Sequence, residues 1–189
     1  MRPDSYRECR LYYLNKILKT PAYSWGFLFG GRNMTHDDFM QMAIALSVNN
    51  VREGLGGPFG AVIVKNGHVI AASANQVVPT NDPTAHAEVS AIRLACKELN
   101  TFSLAGCEIY TSCEPCPMCL AAIYWARIDK IYYANTKIDA AQIGFDDNFI
   151  YQELDKPMAQ RQLPIVQMMR DEAMSAFRLW SETEGKTEY

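Results

Sequence analysis

Apolar and polar positions alternate along this chain with two periods, and the switches between them lay out its elements. Phe39, Ala43, Ile44 and Leu46 recur at helical spacing, and Thr35 with Asp38 three residues on supplies the capping box that opens this first helix. Pro58-Phe59-Gly60-Ala61-Val62-Ile63-Val64 and His68-Val69-Ile70-Ala71-Ala72-Ser73 then flank Asn66-Gly67, which predicts an antiparallel hairpin. Residues 85–99 return to helical spacing, 108–111 read as a strand, 118–127 as a helix and 130–134 as a strand. Past Thr136 the signal weakens: residues 139–143 and 148–154 suit short helices and 165–169 a last strand. Residues 172–181 suit an amphipathic helix with Ala173, Ala176, Phe177 and Trp180 on one side. Helices alternating with strands imply parallel pairing beyond the hairpin, hence an α/β fold whose mixed sheet is covered on both faces.

Composition narrows this picture. A chain of 189 residues, 49% of them apolar, builds one compact core. No apolar run approaches the roughly 20 residues of a membrane span. Residues 1–33 carry six Lys/Arg against two acidic residues, while the remainder is net −7. This basic leader lacks the apolar stretch and cleavage site of a signal peptide. Met34 stands directly before the capping box, so the domain is expected over 34–189, with 1–33 as a disordered extension or the product of a mis-assigned start. An acidic body argues against a surface that tracks phosphates, so no nucleic-acid partner is expected. Of six cysteines, Cys9, Cys96, Cys107 and Cys113 show no pairing rhythm, which points to reduced thiols and a cytoplasmic protein. Cys96 reads as a small core residue. His36 and His68, at a helix start and beside the hairpin turn, read as solvated.

Two strings carry chemistry: His86-Ala87-Glu88 and Pro115-Cys116-Pro117-Met118-Cys119. Together they form the H-x-E…P-C-x-x-C signature of zinc deaminases. One imidazole and two thiolates leave the fourth tetrahedral position of Zn²⁺ to water, as a catalytic site requires; a structural zinc would take a fourth protein ligand. Glu88, beside the metal without ligating it, is the expected proton carrier. Both strings fall where helices are expected to begin, so positive helix ends would face the metal and favour thiolate over thiol. Cys116 and Cys119, three apart, share a helical face. His86 and Glu88, two apart, would diverge on a helix body and converge only over its open end. Alone, C-x-x-C also suits a structural zinc or a redox pair, and H-x-E arises by chance.

The agreement extends beyond these strings. Residues 56–64, 81–88, 111–119 and Gly144-Phe145-Asp146-Asp147 resemble the bacterial guanine deaminases of the cytidine deaminase superfamily, over Met34 to Tyr189. The resemblance implies a three-layer α/β/α fold with a five-stranded mixed sheet, and a homodimer whose C-terminal segments are domain-swapped. It implies one Zn²⁺ per subunit, held by His86, Cys116 and Cys119, with Glu88 catalytic. It places Asn75, Phe59, Ala87 and Trp125 as substrate-binding residues, with Asp147 and Tyr189 reading the edge of the base. The implied reaction converts guanine, a small purine base, to xanthine and ammonia.

Plainer readings stand beside these roles. Phe59 and Trp125 suit a core, Asn75 a turn, and Asp147 the N-cap of the helix expected over 148–154. Tyr189, at a chain end, suits a frayed residue. Guanosine or cytosine deamination would use the same zinc residues. A tRNA adenosine deaminase needs a basic strand-binding surface, and a non-catalytic zinc module would have no use for Glu88.

Overall fold

The structure is a computed structural model that describes residues 34–188; the predicted extension 1–33 and Tyr189 lie outside the described residues. Helix α1 (His36–Arg52) begins where the capping box places it. Thr35 Oγ1 accepts from Asp38 N at 3.4 Å, and Asp38 Oδ2 accepts from Thr35 N at 2.9 Å. The hairpin follows as β1 (Gly60–Lys65) and β2 (His68–Ala74). Its turn residues Asn66 and Gly67 take positive φ of 51° and 75°, the backbone that a two-residue type I′ turn demands.

Strands β3 (Cys107–Cys113) and β4 (Lys130–Asn135) complete a sheet in the order β2-β1-β3-β4. The expectation of parallel pairing beyond the hairpin holds for β3 with β4 and fails for β3 with β1, which run antiparallel. The crossover leaving β2 passes over β1 and lands on its far side. Strand β3 therefore runs in the direction of β2 and opposes β1. Strand parity sorts the core into two. Val62, Val64 and Tyr110 meet Phe39, Met42 and Leu46 of α1. Ala61, Ile63 and Ile109 meet Ala91 and Ala95 of α3 (Ala87–Glu98) and Ile123 of α4 (Pro117–Trp125). Helices on both faces of the sheet make the three-layer α/β/α architecture. Gly60 sets how closely α1 approaches: an added Cβ would lie 2.3 Å from the Ala43 carbonyl oxygen.

Two details depart from the sequence reading. The short helix α2 (Val77–Thr80) follows β2 without a sequence signal. His36 is not simply solvated: its Nδ1 lies 2.5 Å from the Tyr110 hydroxyl, and its ring centroid is 5.0 Å from that of Tyr132. Tyr110 is buried and donates to Glu108 Oε2 at 2.9 Å, so its remaining acceptor position draws in the imidazole.

Helix α5 (Lys137–Gln142) follows β4, and the chain divides after Asp147 into a second compact unit. This unit holds α6 (Asn148–Asp155), a 3₁₀ turn at Met158–Gln160 and α7 (Arg170–Glu182). The fifth strand expected over 165–169 does not form, and the sheet has four strands. Ile165-Val166-Gln167-Met168-Met169 has strand composition, but a strand also needs a neighbour for its backbone groups, and this segment has no ladder partner. No residue of 148–188 is buried. Among the described residues no helix is long and apolar enough to cross a membrane.

Candidate active site

Two helix starts build the metal corner. His86 is the N-cap of α3 and Cys116 the N-cap of α4, with Pro117 opening the latter; proline suits a first helical position because that N–H has no intrahelical partner. The backbone at His86 is extended (φ −61°, ψ 161°), whereas Glu88 already lies in the first turn of α3. That break resolves the two-residue spacing, since the imidazole stands outside the helix and both groups meet over its open end. Cys119, one turn into α4, donates its amide to Cys116 Sγ at 3.5 Å.

The ligand atoms of His86, Cys116 and Cys119 lie within 4.8 Å of one another, and His86 Nδ1 is 3.5 Å from each sulfur. Tetrahedral zinc with Zn–N near 2.05 Å and Zn–S near 2.3 Å sets an N···S edge of about 3.5 Å. The three residues fit zinc, and among the described residues no fourth ligand joins them. Charges within the trio agree: the Cys119 thiol and the His86 ring donate to Cys116, whose thiol is pushed down to about 4. The same bonds raise Cys119 and His86. Cys116 is thus the most acidic member of the trio, while its two neighbours hold their protons more firmly than usual.

Glu88 is buried on the metal side of the sheet, 6% exposed. Its Oε2 lies 3.4 Å from Cys119 Sγ, and the Thr111 hydroxyl lies 3.3 Å from its Oε1 and 3.0 Å from the Cys113 carbonyl oxygen. Burial pushes the Glu88 carboxyl upward, the direction a proton carrier working near neutrality needs.

A second set of groups includes the residues expected to meet the base. Asn75 N donates to Phe59 O at 3.0 Å, and Asn75 Oδ1 accepts from Val77 N at 3.2 Å. This fixes the side-chain amide and keeps its Nδ2 donors available. Phe59 meets Phe145 edge-on, with centroids 4.9 Å apart. A Cβ at Gly57 would come within 3.1–3.3 Å of both rings, so the loop passes because the residue is glycine. Asp147 lies near enough to the metal corner for its charge to act on His86 and Cys116; burial, then the Cys116 thiolate, pushes its carboxyl upward.

An open-sided His-Cys-Cys corner with a buried, non-ligating glutamate is the arrangement the signature strings require, and residues 33–135 match the cytidine and deoxycytidylate deaminase zinc-binding region. The chain belongs to the cytidine and deoxycytidylate deaminase family. Its cofactor is zinc. Guanine deaminase of Bacillus subtilis is 53% identical over 156 residues, covering 82% of this chain and all of that protein. The solved structure of that enzyme superposes with a TM-score of 0.80 over 82% of this chain and 99% of its own. A guanine deaminase from Nitrosomonas europaea, 30% identical, gives a TM-score of 0.58 over 80% of this chain and 88% of its own. A tRNA-specific adenosine deaminase of Agrobacterium fabrum is 45% identical over 95 residues, half of this chain and 62% of that protein.

Within this deaminase, the structure brings His86, Cys116, Cys119 and Glu88 together and sets Asn75, Phe59 and Asp147 in the same unit. Ala87 is fully buried as the first residue of α3. Trp125 ends α4 and is 68% exposed, which rules out its core reading. Tyr189 is outside the described residues. Sequence reasoning passed over Thr111 and Phe145 although both stand inside the quoted motifs. It also missed Asn50, which is 3% exposed. Asn50 Nδ2 donates to Gly57 O at 2.8 Å and to Asn75 O at 3.1 Å, stapling the Phe59 loop to the end of β2. The one signal for Asn50 was a polar residue on the inward side of an amphipathic helix.

Proposed function

We propose that the chain hydrolyses the amino group of guanine, giving xanthine and ammonia. The observation that carries this reading is the open His86-Cys116-Cys119 corner with buried Glu88 against it, within reach of the Asp147 charge. A carboxylate acceptor at Asp147 suits the ring N–H groups of guanine and, once a base covers it, is left unpaired by purines that lack those donors. The 53% identity to the Bacillus subtilis enzyme supports it.

In this mechanism Phe59 and Phe145 pack on the base, the Asn75 amide donates to a purine acceptor, and Asp147 accepts from the ring N–H. Bound zinc, held by His86, Cys116 and Cys119, polarises water and makes its proton easier to remove. Glu88 takes one proton from the attacking water and delivers it to ring nitrogen N3 as the C2–O bond forms. It then moves the second proton to the exocyclic amine. The C2–N bond breaks, ammonia leaves, and C2 keeps the oxygen as a carbonyl.

The working form we propose is a cytoplasmic homodimer with exchanged C-terminal segments and one zinc per subunit. Its support is the accessibility of 148–188, where Leu163, Val166, Met168, Phe177 and Leu179 all stand exposed, together with the exposed Trp125, which suits an interface. Free Cys96, Cys107, Cys113, Cys116 and Cys119 suit a reducing compartment. Tyr189 then reaches the partner's site.

Ammonia and xanthine measured with guanine, guanosine and cytosine side by side test the substrate. Turnover of guanine alone supports the reading, and preference for a nucleoside or cytosine overturns it. Mixing Glu88→Gln chains with Tyr189→Ala chains tests the exchange. Hybrid dimers regain activity if an intact tail from one chain completes an intact body of the other. Silence of the mixture, once subunit exchange is verified, refutes the swap.

A further inference from the structure

The loop carrying the metal-binding cysteines is bonded to the junction between β4 and α5 at three consecutive residues. Glu114 N donates to Asn135 O at 2.8 Å, Cys113 Sγ donates to Thr136 O at 3.5 Å, and Glu114 Oε2 accepts from Lys137 N at 3.1 Å. The third bond is the unusual one. Helix α5 has its own capping box: Asp139 Oδ2 accepts from Thr136 N at 2.8 Å, and Thr136 Oγ1 accepts from Asp139 N at 3.3 Å. A capping box serves the N-cap and N3 amides, and the N1 amide, here Lys137, needs an acceptor of its own. Glu114 supplies that acceptor from across the fold. Thr136 and Asp139 settle that a helix begins at this point; Glu114 settles where it begins relative to Cys116, two residues further along its own loop.

What α5 leads into makes that placement consequential. The helix is six residues long and closes in a tight turn. Ile143 N and Phe145 N both donate to Ala140 O, at 3.2 and 3.0 Å, and Gly144 N donates to Ala141 O at 3.0 Å. Gly144 has φ +92°, a conformation that L side chains rarely adopt. Phe145 then meets Phe59, and Asp147 follows two residues later. From Lys137 to Phe145 the backbone is hydrogen-bonded almost continuously, so a shift at the start of α5 is passed to its far end instead of being absorbed by a hinge.

We propose that Glu114 is a positioning residue: by accepting from the first amide of α5, its carboxylate holds the segment bearing Asp147 in register with the metal corner. Glu114 is not among the residues that could hold zinc. It acts through Asp147, and the proposal rests on the reading above that Asp147 contacts guanine.

The test is a double-mutant cycle on the zinc-loaded full chain, with guanine kinetics and zinc content measured for Glu114→Ala, Glu114→Gln, Asp147→Asn and the Glu114→Ala/Asp147→Asn pair. Residues acting through one another give non-additive effects. Glu114→Ala is expected to lower kcat/KM about tenfold, mainly through KM as expected for lost substrate binding, with zinc content unchanged. Glu114→Gln keeps an oxygen acceptor and returns kcat/KM to within about twofold of the parent. In the Asp147→Asn background, Glu114→Ala costs less than about twofold. Fully additive losses, loss of zinc in Glu114→Ala, or no rescue by Gln overturns the proposal while leaving guanine as substrate. No guanine turnover by the parent chain overturns the substrate reading and this proposal with it.

Discussion

In residues 34–147 the apolar faces of α1 and α3 lie on the sheet, and strand parity divides the interior into two clusters whose members are at most 8% exposed. Residues 148–188 have the same kind of amphipathic sequence, yet no residue there is buried, and Phe177 on the apolar side of α7 is 71% exposed. Periodicity produces helices in both regions; only in the first do residues become buried. The contrast separates two kinds of work. The three zinc residues and Glu88 all lie within the first region. In the second region the helices stand without a buried apolar face behind them.

Substitutions can break or sharpen this division. The largest effect should come from Glu88→Gln, which removes the proton carrier and lowers kcat by about 10³-fold or more. Zinc content should stay at the parent level by elemental analysis. Turnover within tenfold of the parent would move proton transfer to another group. In the sheet body, Met42→Ala opens a cavity at a residue 1% exposed and should cost about 2–5 kcal/mol in denaturant unfolding.

Zinc affinity should follow pH in a definite direction. His86 and Cys119 are both raised and both must lose a proton to ligate. Zinc binding is therefore favoured at high pH and weakens as pH falls, by about tenfold per unit for each proton released. Competition with a chelator at stepped pH measures this, and a flat profile would contradict the protonation pattern of the trio. Asn50→Asp deletes the donor that staples the Phe59 loop to Asn75 and should raise the guanine KM by about tenfold, near 1.4 kcal/mol of lost binding, with kcat little changed. The smallest effect on the isolated chain is expected from Phe177→Ala, at most about 0.5 kcal/mol as for other exposed substitutions. If segments exchange between copies, the same change should weaken the dimer in sedimentation experiments, and an unaltered dimer would remove α7 from the interface.

The zinc residues were legible because their chemistry dictates residue type: few combinations besides His, two Cys and a free Glu leave zinc open and a base beside it. Helix α1 and the hairpin were legible because Thr35, Asp38, Asn66 and Gly67 encode local geometry. Ile165 to Met169 misled because composition reports what a strand prefers, whereas the ladder depends on where a neighbouring edge lies. The antiparallel meeting of β3 with β1 was hidden for a related reason, since the order of elements does not say on which side of β1 a crossover lands. Asn50 and Glu114 left almost no trace, because each acts by bonding a backbone group far away in sequence.

His86 and Cys116 occupy positions where Ser, Thr, Asp or Asn would normally begin a helix, and their replacement by poorer caps commonly costs about 1 kcal/mol. An engineer optimising helix starts for heat resistance would single out these two sites, and both substitutions would abolish the metal. The chain has given up stability at two adjoining helix starts for function, so its thermal optimum and its catalytic optimum belong to different sequences.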